Sequence, residues 1–247
     1  MPGARVPSVL KAVLAFQIGI GAFLALGDLA GGGLTLPRLG PGAPELTNPV
    51  RPGDQRRTFD PSRVPSELTP EQDSGPLPDR LLLTSLEGAR YLLEGSIAEG
   101  DAPRITARLD EVQPAPEQLV LNSPGGSVQD ALELGRALRA RGIATEMRTG
   151  DFCYSACPYL FAGGELRSLA EGASLGVHQH YFGRSTILPA FVAVEDIQRG
   201  QAEVMTYLVE MGVDPRVMAH ALATPPDEIY VLLPEELQDY GFISATP

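Results

Sequence analysis

A single serine stands between the only two cysteines of the chain, in "GDFCYSACPYLFAGG" at residues 150–164. Where a chain turns into a helix, a serine hydroxyl lies near N–H groups that have no helical partner. The amide of the next residue, Ala156, could then donate to a developing oxyanion. Ser155 is therefore a candidate nucleophile, although packing or helix capping is the ordinary role of a serine at such a place. A second stretch, "LVLNSPGGSVQDALELG" at 119–135, runs from an apolar strand through a Pro-Gly-Gly turn into a helix start. Gly125 and Gly126 let backbone N–H groups approach a common point with no Cβ in the way, and a helix N-terminus adds partial positive charge. The turn suits an oxyanion hole or an anion cradle, and an ordinary tight turn is the bland alternative. It lacks the Gly-Lys-Ser/Thr ending of a P-loop and is not GxGxxG. The third stretch is "GVHQHY". His178 and His180 are two apart on a predicted strand, so they are expected to share a face. The chain has three histidines, so a base for Ser155 comes from a short list. His220, in "RVMAHALAT", reads as a helix residue without a special role.

These residues must be positioned by a scaffold, and the chain is long enough for one domain with appendages: 247 residues, 43% of them hydrophobic. The net charge of −12 and the absence of any basic run argue against a nucleic-acid partner, because phosphate neutralisation needs clustered Lys and Arg. Two cysteines and three histidines, without CxxC or HExxH, leave a zinc site almost no ligands. No cofactor is implied.

Residues 1–27 read as a targeting segment. Arg5 and Lys11 precede or enter an uncharged run, "AVLAFQIGIGAFLALG", the pattern of a basic region followed by an apolar one. Two readings compete. A signal anchor is preferred, with the N-terminus cytoplasmic and Lys11 snorkelling to the interface. A signal peptide cleaved near "ALG" would instead release a secreted protein. Residues 28–79 are dense in Gly and Pro and are expected to form a tether without propagating helix or sheet. The folded domain is expected over 80–247. Strands are predicted within "RLLLTSLEGARYLLEGSI", "EQLVLNS", "IATEMRT" and "SLGVHQHYF". Helices are predicted in "APRITARLDEV", in "SVQDALELGRALRARG" between a Ser127 cap and Gly142, after Ser155, in "LPAFVAVEDIQRGQAEVMTYLVEMGV" and in "PEELQDYGFIS". This alternation is the mark of βαβ units, hence an α/β fold with a mainly parallel sheet.

Taken together, the motifs resemble the ClpP/crotonase superfamily, and within it the ClpP-like serine proteases that are periplasmic or membrane-anchored. The resemblance covers about residues 80–245. It rests on Asn122-Ser123-Pro124-Gly125-Gly126, on "CYSACPYLFAGG", on His178-Gln179 and on "DEIYVLLPEELQDYGFIS". It implies a spiral of βαβ units and a serine peptidase acting on polypeptide. Ser155 would be the nucleophile, His178 the base, and Gly126 and Ala156 the oxyanion donors. Asp227 is the first choice for the third triad member and Glu228 the second. The order Ser, His, acidic residue is that of the ClpP-like proteases. The helix near 190–211 would fall in the family's oligomer-contact region, so a homo-oligomer is implied. Its Phe191, Val194, Ile197, Val204, Leu208 and Met211 suit core or interface alike. Cys153 and Cys157 are a departure from the soluble ClpP subunit. An i, i+4 pair reaches disulfide range only in partly non-helical geometry, so buried free thiols are the preferred expectation and a disulfide the alternative. A catalytically inactive binding protein on the same fold is the second functional reading. Acyl-CoA chemistry is a third, which an export or anchor segment disfavours.

Overall fold

The structure is a computed structural model of the chain and describes residues 6–29, 57–58, 77–180 and 190–243. The chain divides into two units, Met1–Gly42 and Ala43–Pro247.

In the first unit, Val6–Leu29 forms one helix, α1. Its apolar side chains Leu10, Phe16, Ile18 and Phe23 are exposed. No helix among the described residues is long and apolar enough to cross a membrane.

The second unit is α/β. Its strands are β1 (Arg57–Thr58), β2 (Leu82–Ser85), β3 (Arg90–Glu94), β4 (Gln118–Asn122), β5 (Ala144–Met147), β6 (Phe152–Tyr154), β7 (Arg167–Leu169), β8 (Ser174–Val177) and β9 (Glu228–Val231). Its helices are α2 (Asp101–Glu111), α3 (Val128–Ala140), α4 (Cys157–Ala162), α5 (Ala190–Glu210), α6 (Met218–Ala223) and α7 (Pro234–Asp239). One sheet has the order β2-β3-β4-β5-β7 and is parallel except for the β2–β3 hairpin. The other has the order β1-β9-β8-β6, with β6 and β8 parallel and the β8–β9 and β1–β9 pairs antiparallel. The sheets meet just past β4. There Ser123 N–H donates to the Phe152 carbonyl at 2.8 Å and Tyr154 N–H donates to the Ser123 carbonyl at 3.0 Å.

Local chemistry explains the main elements. Leu119, Val120 and Leu121 of β4 are all buried, as expected of a central parallel strand covered on both faces. Ser127 caps α3 by accepting from the Asp130 amide. The Asp130 carboxylate accepts from the Ser127 hydroxyl at 2.5 Å and from the Ala102 amide at 2.9 Å, which ties the start of α2 to that of α3. Gly142, at φ +65°, closes α3. Asp101 is fully buried and accepts from Arg80, Arg104 and the amides of Leu81 and Ala98; these partners hold its carboxyl below the usual range although burial pushes the other way.

Several expectations need correction. The strand holding "SLGVHQHYF" ends at Val177, so His178 and His180 lie beyond it and do not share a strand face. Strands β7 and β9 add to those the sequence predicts, and β6 is the strand that leads into the Ser155 turn. Within 28–79, Arg57 and Thr58 pair with Ile229 and Glu228, so that stretch is not wholly without sheet. Residues 30–56 and 59–76 of the expected tether, and 181–189 before α5, lie outside the described residues. The second half of α5 belongs to the core, where Val204, Tyr207, Leu208 and the following Met211 are buried; Ile197 is half-buried. The side chains of Phe191 and Val194 lie outside the described residues.

Candidate active site

Ser155 sits in the turn from β6 into α4. It is the one non-glycine residue with positive φ among the described residues, at +61°. This left-handed backbone turns the chain between the end of β6 and the start of α4. Its amide is anchored on the Gly176 carbonyl of the neighbouring parallel strand at 3.0 Å. Cys153 and Cys157 form a disulfide across the turn, Cα to Cα 5.1 Å, which corrects the preferred expectation of free thiols. The pair meets because Cys153 is strand and Cys157 opens the helix, with left-handed Ser155 between them; a regular helix would not bring them together.

The Pro-Gly-Gly turn lies directly against this serine. A Cβ on Gly125 would stand 2.6 Å from Ser155 Cβ, 2.8 Å from the Ala156 nitrogen and 2.5 Å from the Tyr154 carbonyl oxygen. On Gly126 it would stand 2.2 Å from the Ile97 carbonyl oxygen. Both glycines have positive φ, +93° and +140°, so only glycine suits either position. Gly125 N–H is taken by the Ser123 hydroxyl at 3.1 Å. Among the described residues, no hydrogen bond from the Gly126 or Ala156 amide is found.

His178 follows β8 by one residue and is 2% exposed. Its Nδ1 is 3.1 Å from the Pro226 carbonyl. A carbonyl only accepts, so Nδ1 carries the proton and Nε2 keeps a lone pair. Nε2 is buried and has no hydrogen-bond partner among the described residues. Burial, helped by His180, pulls the ring's pKa down to about 4, against the smaller opposing effects of the Pro226 and Pro225 carbonyls and the Asp227 charge. The imidazole is thus neutral at pH 7, the form a general base requires.

The other candidates divide. Asp227 is half-buried and follows the Pro226 carbonyl, but its carboxylate does not bond His178; the carbonyl takes that place. The Oε2 of Glu228, at the start of β9, is buried without a partner among the described residues. His180 Nε2 lies 3.0 Å from the Tyr159 hydroxyl. His220 stacks on Tyr230 with ring centroids 4.3 Å apart and lies 2.8 Å from the Tyr240 hydroxyl, a packing role. The structure brings together Gly125, Ser155 and Ala156, and connects β6 to the His178 end of β8 through Gly176. It makes no hydrogen bond between Ser155 and His178 among the described residues. Among those residues no group of three or more His, Cys, Asp or Glu could hold a metal ion.

Sequence reasoning missed the Pro226 carbonyl. The one signal for it was "TPPDE" itself, since adjacent prolines add acceptors without adding donors. No protein-family model matches the chain, and no curated protein matches it. Chemically, the arrangement offers a strained serine, a neutral buried imidazole and two backbone amides, with the imidazole lone pair and both amides without a partner among the described residues.

Proposed function

We propose that this chain is a serine hydrolase of the ClpP-like kind acting on peptide bonds, its second unit a spiral of βαβ units of the ClpP/crotonase type. The observation that carries the reading is the left-handed Ser155 packed on the Gly125–Gly126 turn, with the Ala156 amide beside it unpaired among the described residues. In this reading Ser155 Oγ attacks the substrate carbonyl carbon while its proton passes to His178 Nε2. The oxyanion is held by the Gly126 and Ala156 amides. The imidazolium then protonates the leaving amine as the C–N bond breaks, and water repeats the sequence on the ester. Asp227 lends negative charge near the ring. A homo-oligomer is part of the proposal, through the first half of α5.

We also propose that the second unit works outside the cytoplasm, delivered by the N-terminal segment as an anchor or a cleaved signal. The Cys153–Cys157 disulfide supports this, since such bonds persist in oxidising compartments. The test of activity is labelling of the purified full chain by a fluorophosphonate. Labelling that is lost in Ser155→Ala is expected; a folded wild type that does not label contradicts the proposal.

One observation favours a second reading. Ser155 and His178 are not hydrogen-bonded to each other among the described residues, as expected of a binding protein that keeps the fold without the activity. Apo catalytic sites also show this looseness, and the labelling test separates the two.

A further inference from the structure

The segment that faces His178 spans the last residues of α6 and the loop from there to β9, residues 222–227. It is fastened to the "HQ" segment at three points. The Gln179 amide donates to the Thr224 carbonyl at 3.0 Å. The Gln179 side-chain amide donates to the Leu222 carbonyl at 2.8 Å. The third point is the bond from His178 Nδ1 to the Pro226 carbonyl. The loop itself is stiff: Thr224 Oγ1 donates to the His220 carbonyl at 2.8 Å, and two consecutive prolines fix φ at the point of contact. Glu228 N–H donates to the Pro225 carbonyl at 3.0 Å and closes the turn.

We propose that the Pro226 carbonyl, held in place by Gln179, orients the His178 ring and fixes its tautomer, the role that a carboxylate fills in a Ser-His-Asp triad. Gln179 is then a positioning residue that acts through the loop. Asp227 contributes long-range charge and no direct bond. The chemistry is self-consistent: a neutral carbonyl accepts the hydrogen bond from Nδ1–H and so orients the ring as a carboxylate does, but it stabilises the imidazolium less. The base is therefore weaker and the tautomer is as well defined. The inference rests on the serine-hydrolase reading for its kinetic consequence and on geometry alone for its tautomer.

The experiment has two readouts on the full chain. The first is the tautomer of His178, read from the nitrogen shifts of the histidine ring by NMR. The second is the rate of fluorophosphonate labelling. In wild type and in Asp227→Asn the ring should be the Nδ1–H tautomer, and Asp227→Asn should label within about fivefold of wild type, the ceiling for a part-exposed charge without a direct bond. Gln179→Met keeps the side-chain length and loses the donor. It should mix the tautomers and slow labelling on the order of 10- to 100-fold. A loss in Asp227→Asn on the order of 10⁴-fold, as for a triad carboxylate, overturns the proposal. So does an Nε2–H tautomer in wild type. If Gln179→Met fails to fold, Asp227→Asn and the wild-type spectrum still decide. If wild type does not label at all, the hydrolase reading fails while the tautomer still tests the role of Pro226.

Discussion

Ser155 holds a left-handed backbone at a cost of about 1–2 kcal/mol relative to glycine. Ser155→Gly should therefore be more stable than Ser155→Ala by about 1 kcal/mol in urea unfolding, although both lose the hydroxyl. Gly125 is less forgiving, because a Cβ there meets backbone atoms at 2.5–2.8 Å. Gly125→Ala should cost about 3 kcal/mol and displace Ser155, checked by the same unfolding and by loss of labelling. His178 has a pH signature. Buried as a neutral ring with a pKa of about 4, it binds fewer protons folded than unfolded between about 4 and the ordinary 6.5. Its contribution to stability is therefore complete above about 6.5 and is lost as the pH falls through about 4. The size is on the order of 3 kcal/mol. Burial shifts His180 in the same direction, so His178→Gln should remove its own share of the acid sensitivity and leave the rest. Labelling by a serine probe should likewise fall on the acid side with a midpoint near 4 and not near 6.5.

At the scale of elements, the disulfide closes the turn from β6 to α4. Closing so short a loop stabilises by about 2 kcal/mol on a chain-entropy argument. Reduction, or replacement of both cysteines by serine, should lower stability by about that amount and slow labelling by releasing the turn that presents Ser155. An unchanged midpoint and rate would show the bond to be idle. This scale also shows what the sequence could tell. Helix α3 was legible because its apolar residues keep helical spacing between a serine cap and a glycine stop. Strand β4 was legible as an apolar run before a Pro-Gly-Gly turn. Strands β6 and β7 have only three residues each and are set by pairing with distant strands, so no local period marks them. A continuous helix argues against a Cys153–Cys157 bond; because Cys153 and Tyr154 belong to β6, no helix spans the pair and the bond forms. His178 and His180 carried strand-like spacing, yet the chain leaves the sheet at Val177, where Gln179 bonds to Thr224 instead of a neighbouring strand.

For the whole molecule, the α/β alternation was readable in the order of apolar runs, and the meeting of two sheets at Ser123 was not. That junction is a single bridge between Ser123, just past β4, and Cys153 of β6, a long-range arrangement without a local signature. It also positions the site, because it brings the Pro-Gly-Gly turn after β4 against the Ser155 turn after β6. The placement of the charged partners was legible only in part. The acidic residue Asp227 follows His178 in the expected chain order, but the ring bonds the Pro226 carbonyl next to it. The proposal that Ser155 is a nucleophile activated by His178 is tested most directly by fluorophosphonate labelling of the folded full chain, compared with Ser155→Ala and His178→Ala. The expected result is covalent labelling of wild type at Ser155, none in Ser155→Ala, and labelling slowed at least on the order of 100-fold in His178→Ala. A folded wild type that does not label, or a label found equally in Ser155→Ala, would contradict it.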